Sequence, residues 1–384
     1  MHTAMSESTH EPAFGSRSGA RLRFREAIPA DARSDTAHCR AMIRTGSKSF
    51  FLASHLLPAE LRGAVYALYA FCREADDAID DGADPMAELA VFRARLDAVY
   101  DAELTGKVPG NVVDRALARV VRDHALPKEL LDALLQGFAW DVQSRVYKDL
   151  AGVYGYGVRV AGSVGVMMAL LMGVRDPGSL ARAADLGVAM QLTNIARDVG
   201  DDARAGRVYL PARWLREVDL SPQMLIENPR FSPELGSVVA RLLSAAECLY
   251  ARADSGIAGL PARCRPGIYA ARKLYAGIGH ELLRRGGDSV SQRTVLPGHR
   301  KLLLTAGSLI PPRVNLAHLN ADPLPQVRYL IRAVDSLPTP ELIEQPQGGI
   351  AGDIDWVLNV FAELERRDRD VHATPAGFSS RAAS

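Results

Sequence analysis

The chain is poor in cysteine. Its four thiols, Cys39, Cys72, Cys248 and Cys264, form no CxxC pair and have no zinc-ligand spacing, so free thiols in a reducing cytoplasm are expected. A charge surplus is also missing. Lys+Arg 46 against Asp+Glu 45 leaves a net charge of +1, whereas a general nucleic-acid binder needs a basic surplus or stripe. No nucleic-acid partner is expected. The N-terminus has no apolar signal core. The most apolar run, "VGVMMALLMGV" at 164–174, is shorter than the roughly 20 residues that span a bilayer. Convincing alternating strands are absent, as is any glycine-rich βαβ unit. These gaps leave a cytoplasmic protein that is soluble or rests peripherally on the inner face of the membrane. No strongly basic amphipathic helix marks where that contact would be.

What is present is 48% hydrophobic and 24% charged, the make-up of an ordinary folded protein. The length suits two or three domains or a single large helical one. Residues 1–30 read as a loose polar tail. Through 31–310 apolar residues recur at spacings of three and four, with Pro or Gly between segments, which marks successive helices. Residues 311–370 read as a helical appendage, as in "DIDWVLNVFAELERR", and 371–384 as tail.

Two acidic motifs stand out. In "FCREADDAID" at 71–80, with Asp81 and Asp84 beyond, carboxylates fall four apart, a spacing that destabilises a helix by roughly 0.2–0.5 kcal/mol per like-charge pair. A helix over 58–81, opened by Pro58, aligns Leu61, Val65, Leu68, Cys72, Ala75 and Ile79 in one stripe. At about 100° per residue, Asp76 and Asp80 edge that stripe beside Tyr69 and Arg73, while Asp77, Asp81 and Asp84 turn toward solvent. In "TNIARDVGDD" at 193–202, Val188, Leu192, Ile195 and Val199 form the stripe. Asp198 and Asp202 border it, with Gln191 and Asn194 one and two turns earlier, and Arg197 and Asp201 point elsewhere. A lone DxxxD is usually a solvated face. Two pairs edging apolar stripes are not, because carboxylates near a core are costly unless paired or bound to a cation. Mg²⁺ fits, since it takes one or two carboxylates and completes its shell with water and substrate phosphate.

Phosphate donors flank both motifs. Ser47, Lys48 and Ser49 lie in "GSKSFF" ahead of the first, beside Phe50 as a further substrate-binding candidate, and Arg204, Arg207 and Tyr209 follow the second in "DARAGRVYLP". Arg offers forked donors to phosphate oxygens and Lys a point charge.

Several stretches together resemble the head-to-head prenyl synthases, the family of squalene, dehydrosqualene and bacterial phytoene synthases. They are "SKSF", "YAFCREADDAID", "DVQSRVYKDLAGVYGYGVRVAGSVG", "QLTNIARDVGDDARAGRVYLP" and "ARKLYAGIGHELLRRGGDSVSQRTV", in family order over roughly 40–305. The stretch around Tyr154–Val160 reads "YGYGVRVAG" where the family more often has Cys after the tyrosine. The resemblance implies an all-α isoprenoid-synthase bundle around a central cavity, with the two acid pairs facing each other across its mouth. It implies Mg²⁺ (Mn²⁺ as an alternative) held by Asp76, Asp80, Asn194, Asp198 and Asp202. Ser47, Ser49, Arg73, Arg204, Arg207, Tyr275 and Arg293 would lie at the diphosphates, with Ser47 and Ser49 in a segment that closes over the first substrate. Ala161, Gly162 and Gly165 would leave room for a prenyl chain or serve close helix packing, and Tyr147, Tyr154 and Tyr275 are candidates to face carbocations. The implied reaction joins two geranylgeranyl diphosphates to 15-cis-phytoene without NADPH. The alternatives are a farnesyl-diphosphate-using dehydrosqualene or squalene synthase and, from another class, a non-catalytic lipid-binding or assembly relative. Other carotenoid enzymes would be partners.

Overall fold

The computed structural model describes residues 30–310 and 312–336, leaving out the side chains of Ala30, Lys48, Ser49, Leu52, Asp81, Glu103 and Leu104. The expected tails, and the appendage from 337 onward, lie outside the described residues.

Among the described residues all regular structure is helical. The order is α1 Ala30–Gly46, α2 Lys48–His55, α3 Ala59–Asp81, α4 Pro85–Thr105, α5 Val112–His124, α6 Lys128–Val142 and α7 Leu150–Gly157. A π turn at Val158–Gly162 joins α7 to α8 Ser163–Leu171. Then come α9 Pro177–Arg197, α10 Val199–Arg204, α11 Ala212–Arg216, α12 Pro222–Glu227, α13 Pro233–Gly259, α14 Arg265–Arg284, α15 Gly298–Ala306, α16 Leu316–Leu319 and α17 Arg328–Asp335. Local chemistry sets the starts. Asp84, Asp176, Ser221 and Ser232 each cap a helix that has Pro in its first turn, where the missing N–H is no loss. Asp84 is therefore an N-cap, its Oδ1 accepting from the Met86 and Ala87 amides at 3.1 Å.

The centre of the molecule is α9. It packs against α8, the π turn, α13 and α14, burying Leu180, Val188, Leu192 and Ile195. The approach to α8 is closer than side chains allow. A methyl added at Gly187 would sit 2.2 Å from the Ala161 carbonyl oxygen, and one at Gly165 would sit 2.2 Å from that of Ala183. Leu150–Leu171 runs as one apolar stretch of 22 residues, long enough to cross a bilayer by composition. It is mostly buried against α6 and α9, as a core helix of this length would be.

The stretch read as the start of an appendage packs into the same core, with Val327, Leu330, Ile331 and Val334 buried. Fully buried Arg182 on α9 fixes it. The guanidinium donates from Nη1 to the carbonyls of His318, Leu319 and Ala321 and from Nε to Asp185. Arg252 on α13 joins Asp185 to the Asp322 carbonyl.

Candidate active site

A cavity of about 320 Å³ lies inside the bundle, walled by α2, α3, the π turn, α8, α9, α13 and α14. Leu57, Leu68, Met168, Leu186, Met190 and Ile257 give it an apolar lining. Ala161 and Gly165 line it as well. Gly165 also admits the Ala183 backbone, so close helix packing and cavity lining coincide at that residue. Gly162 is buried against Val188 instead.

A polar end of the wall is formed by Tyr69, Gln191, Asn194 and Tyr275 beside Phe50 and Cys72, and Ser54, Ser179 and Arg182 line the cavity as well. Phe50 leans over this end, its ring 5.7 Å from Tyr275 and 6.5 Å from Tyr69. The acids follow from helix periodicity, since Asp76 is one turn beyond Cys72 and Asp198 one turn beyond Asn194. The two motifs meet through Arg207, which donates from Nη1 to Asp80 Oδ1 at 3.0 Å while its backbone N–H bonds the Asp202 carbonyl at 2.8 Å.

The second motif is not one continuous helix. Asp198, at φ −107° and ψ 14°, ends α9 and precedes α10. Extrapolating a helical wheel through it misplaced Arg197, whose guanidinium turns back to grip the Asp198 carboxylate. Arg293 grips the same group from another loop, at 2.9 and 3.2 Å. Burial opposes charge on Asp198, but these two arginines more than offset it and hold the carboxyl below its ordinary value. Asp202 has no such clamp. Burial first, then the charges of Asp198 and Asp141, push it up to about 7. Asp76 is raised to about 6 by desolvation and by Asp80.

Other residues sit differently from expectation. Arg73 bonds Asp77 at 2.9 Å and is 3.6 Å from Asp76, so Asp77 does not simply face solvent. Arg204 is engaged by Asp201 and the Val290 carbonyl. Ser47 caps α2, accepting from the Phe50 amide at 3.3 Å, and so sets the angle at which Phe50 reaches the cavity. Tyr209 donates to Asp141 Oδ1 at 2.7 Å. Tyr147 is buried in an aromatic stack with Trp140, Tyr156 and Tyr209, and neither it nor Tyr154 lines the cavity. Of the three tyrosines, Tyr275 alone does. The side chains of Lys48, Ser49 and Asp81 lie outside the described residues.

Asp141 is the residue that the sequence did not single out, although it opens the "DVQSRVY" stretch. Its second oxygen accepts from Tyr156 at 2.9 Å, and burial raises its carboxyl to about 6 against the pull of both phenols. The π turn begins two residues after Tyr156, and its extra residue per turn resets the helix so that Tyr156 faces Asp141 while Val160 and Ala161 face the cavity.

Among the described residues no three His, Cys, Asp or Glu groups close on a metal site by themselves. The donor set still fits a divalent cation shared with a phosphate. Asn194 Oδ1 is buried without a hydrogen-bond partner, and the Asp76 and Asp202 carboxyls are raised by burial and by neighbouring carboxylates that the nearby arginines do not offset.

Residues 43–300 match the family described as squalene/phytoene synthase. A phytoene synthase of Cereibacter sphaeroides is 45% identical over 88% of this chain and 96% of its own. A 15-cis-phytoene synthase of Pantoea ananas is 38% identical over 75% of this chain and 97% of its own. The crystal structure of a dehydrosqualene synthase in complex with ligand superposes with a TM-score of 0.66 at 30% identity, covering 72% of this chain and 96% of that one.

Proposed function

Because the chain belongs to the squalene/phytoene synthase family, we infer that it is a phytoene synthase, a prenyltransferase joining two geranylgeranyl diphosphates through prephytoene diphosphate to 15-cis-phytoene. The observation that carries this is the meeting of two carboxylate pairs, bridged by Arg207, at the polar end of an apolar cavity. The same pairs argue against a non-catalytic lipid-binding relative, which would have no use for them. Similarity to phytoene synthases over most of the chain favours the C20 substrate over farnesyl diphosphate.

The chemistry needs a carbon–oxygen bond to ionise, so the departing diphosphate must be neutralised where it forms. Asp76, Asp80, Asn194, Asp198 and Asp202 would hold Mg²⁺, or Mn²⁺ in its place, which supplies positive charge to the diphosphate oxygens. Arg207 adds a donor between the motifs. Arg197 and Arg293 keep Asp198 ionised and fixed in orientation. Phe50 covers the opening, and the apolar walls keep water from the allylic cation. Tyr275 faces the cavity with its ring, and burial holds its hydroxyl protonated, at about 12, so it can face a cation without ionising. Asp141 fixes the Tyr156 and Tyr209 hydroxyls beside Asp202, giving the polar end a hydrogen-bonding shelf. No step here requires NADPH. The product is an oil, which supports a cytoplasmic enzyme resting on the inner membrane face, where other carotenoid enzymes would consume it.

Incubation of the purified protein with geranylgeranyl diphosphate and Mg²⁺, with farnesyl diphosphate in parallel, tests the reading. Phytoene from the C20 substrate is expected. Hydrocarbon from the C15 substrate alone would overturn it.

A further inference from the structure

A second surface stands apart from the acid-lined mouth. From Ser289 to Ala321 the chain contains no Asp or Glu but four Lys or Arg residues. The same stretch exposes Val295, Leu303, Leu309, Ile310, Val314 and Leu316, with Leu303, Ile310 and Leu316 at 72%, 73% and 67%. Arg293 and Arg300 are tied to Asp198 and Glu281. Lys301 and Arg313 pair with no acid among the described residues.

This face is not a loose loop. Lys273 on α14 donates to the Gly307 carbonyl at 2.8 Å, Ser255 on α13 accepts from the Asn315 amide at 3.0 Å, and the buried Arg182 clamp holds His318, Leu319 and Ala321. The backbone is thus fixed while aliphatic side chains project from it. The anchoring helices are also cavity walls. Gly256 and Ile257, next to Ser255, and Ile268 and Ala271, near Lys273, line the cavity. Helix α14 also packs against α2, which carries Phe50. The apolar face therefore backs directly onto the chamber in which the hydrocarbon forms.

We propose that the face formed by α15 and the strap 307–316 docks on an anionic lipid surface, its aliphatic side chains entering the acyl boundary and Lys301 and Arg313 contacting lipid phosphates. Charge complementarity favours this occupant. A stretch with two unpaired cations and no acids of its own is attracted to an anionic leaflet, whereas a second copy would bring the same positive charge against it. The inference deepens the reading of an enzyme with an oily product and names the surface that meets the bilayer.

Co-sedimentation of the full chain with phosphatidylglycerol/phosphatidylcholine vesicles, against pure phosphatidylcholine, tests it. The wild type should prefer the anionic vesicles. Lys301→Gln with Arg313→Gln should weaken binding about thirtyfold, at about fivefold per charge. Leu303→Asp and Ile310→Asp should each weaken it more than tenfold, because a buried aliphatic side chain is worth at least about 1.5 kcal/mol. All variants should keep wild-type turnover on detergent-dispersed substrate, which separates failure of docking from failure of the enzymatic reading and from misfolding. Equal binding by wild type and variants, no binding to either vesicle, or self-association that disappears in the same variants would each overturn the proposal.

Discussion

Gly187→Ala tests whether the close packing of α9 on the π turn positions the site. The added methyl would lie 2.2 Å from the Ala161 oxygen and 2.6 Å from its carbon, so the helices must separate by about 1 Å to restore ordinary contact. Obstruction by backbone, not by the end of a flexible side chain, puts the cost near the upper end of the overpacking range, about 3 kcal/mol. Alanine's better helix propensity returns about 1 kcal/mol. A net loss of about 2 kcal/mol remains, roughly 2–3 °C in the midpoint for a chain of this size. Asn194 is two turns further along the same helix, so the shift is carried to the polar end. Misplacement of about 1 Å there costs on the order of 10²-fold in turnover. Thermal melts and initial rates would read both effects. Gly110→Ala, whose methyl meets nothing within 4 Å, is the control. Wild-type stability and rate in Gly187→Ala would refute the packing argument.

Asp141→Asn should lower turnover at least tenfold with little change in helical content, because an amide cannot accept well from both Tyr156 and Tyr209. Circular dichroism with product analysis would check this, and unchanged turnover would contradict it. Asp35 is buried, which opposes its charge, but hydrogen bonds and attraction from Arg115 and Arg119 outweigh that and lower its pKa. A lowered carboxyl contributes stability above its unfolded value of about 3.9 that is lost as pH falls through the lower folded value. Asp35→Asn should therefore destabilise by about 1–3 kcal/mol at pH 7, and urea melts should find the gap closing toward pH 3. A gap that does not change with pH would show that charge is not the cause.

The face of α3 was legible because one uninterrupted helix carries the stripe, and a constant rotation per residue places Asp76 and Asp80 beside it. The same rule failed at Asp198, where the helix breaks and Arg197 swings back. Nothing local announces that break. Arg293 and Asp198 are 95 positions apart, and Asp141 and Tyr209 are 68 apart. Contacts of that kind are made by tertiary packing and leave no periodic trace. Ser47, Arg204 and Tyr209 were read as phosphate donors from their place beside the acids. In the structure they make a helix cap, a loop anchor and the Asp141 shelf, contacts that proximity in sequence does not show. The face at 295–316 escaped notice because its apolar and basic residues follow no single helical period.

The central claim, that two carboxylate pairs at one end of an oily cavity together grip the departing diphosphate, is tested most directly by product analysis on geranylgeranyl diphosphate with Mg²⁺. Wild type should yield phytoene, Asp80→Asn and Asp198→Asn should lose it while keeping their fold, and Asp201→Asn, whose carboxylate pairs with Arg204, should retain most of it. Equal activity across all three variants would contradict the account.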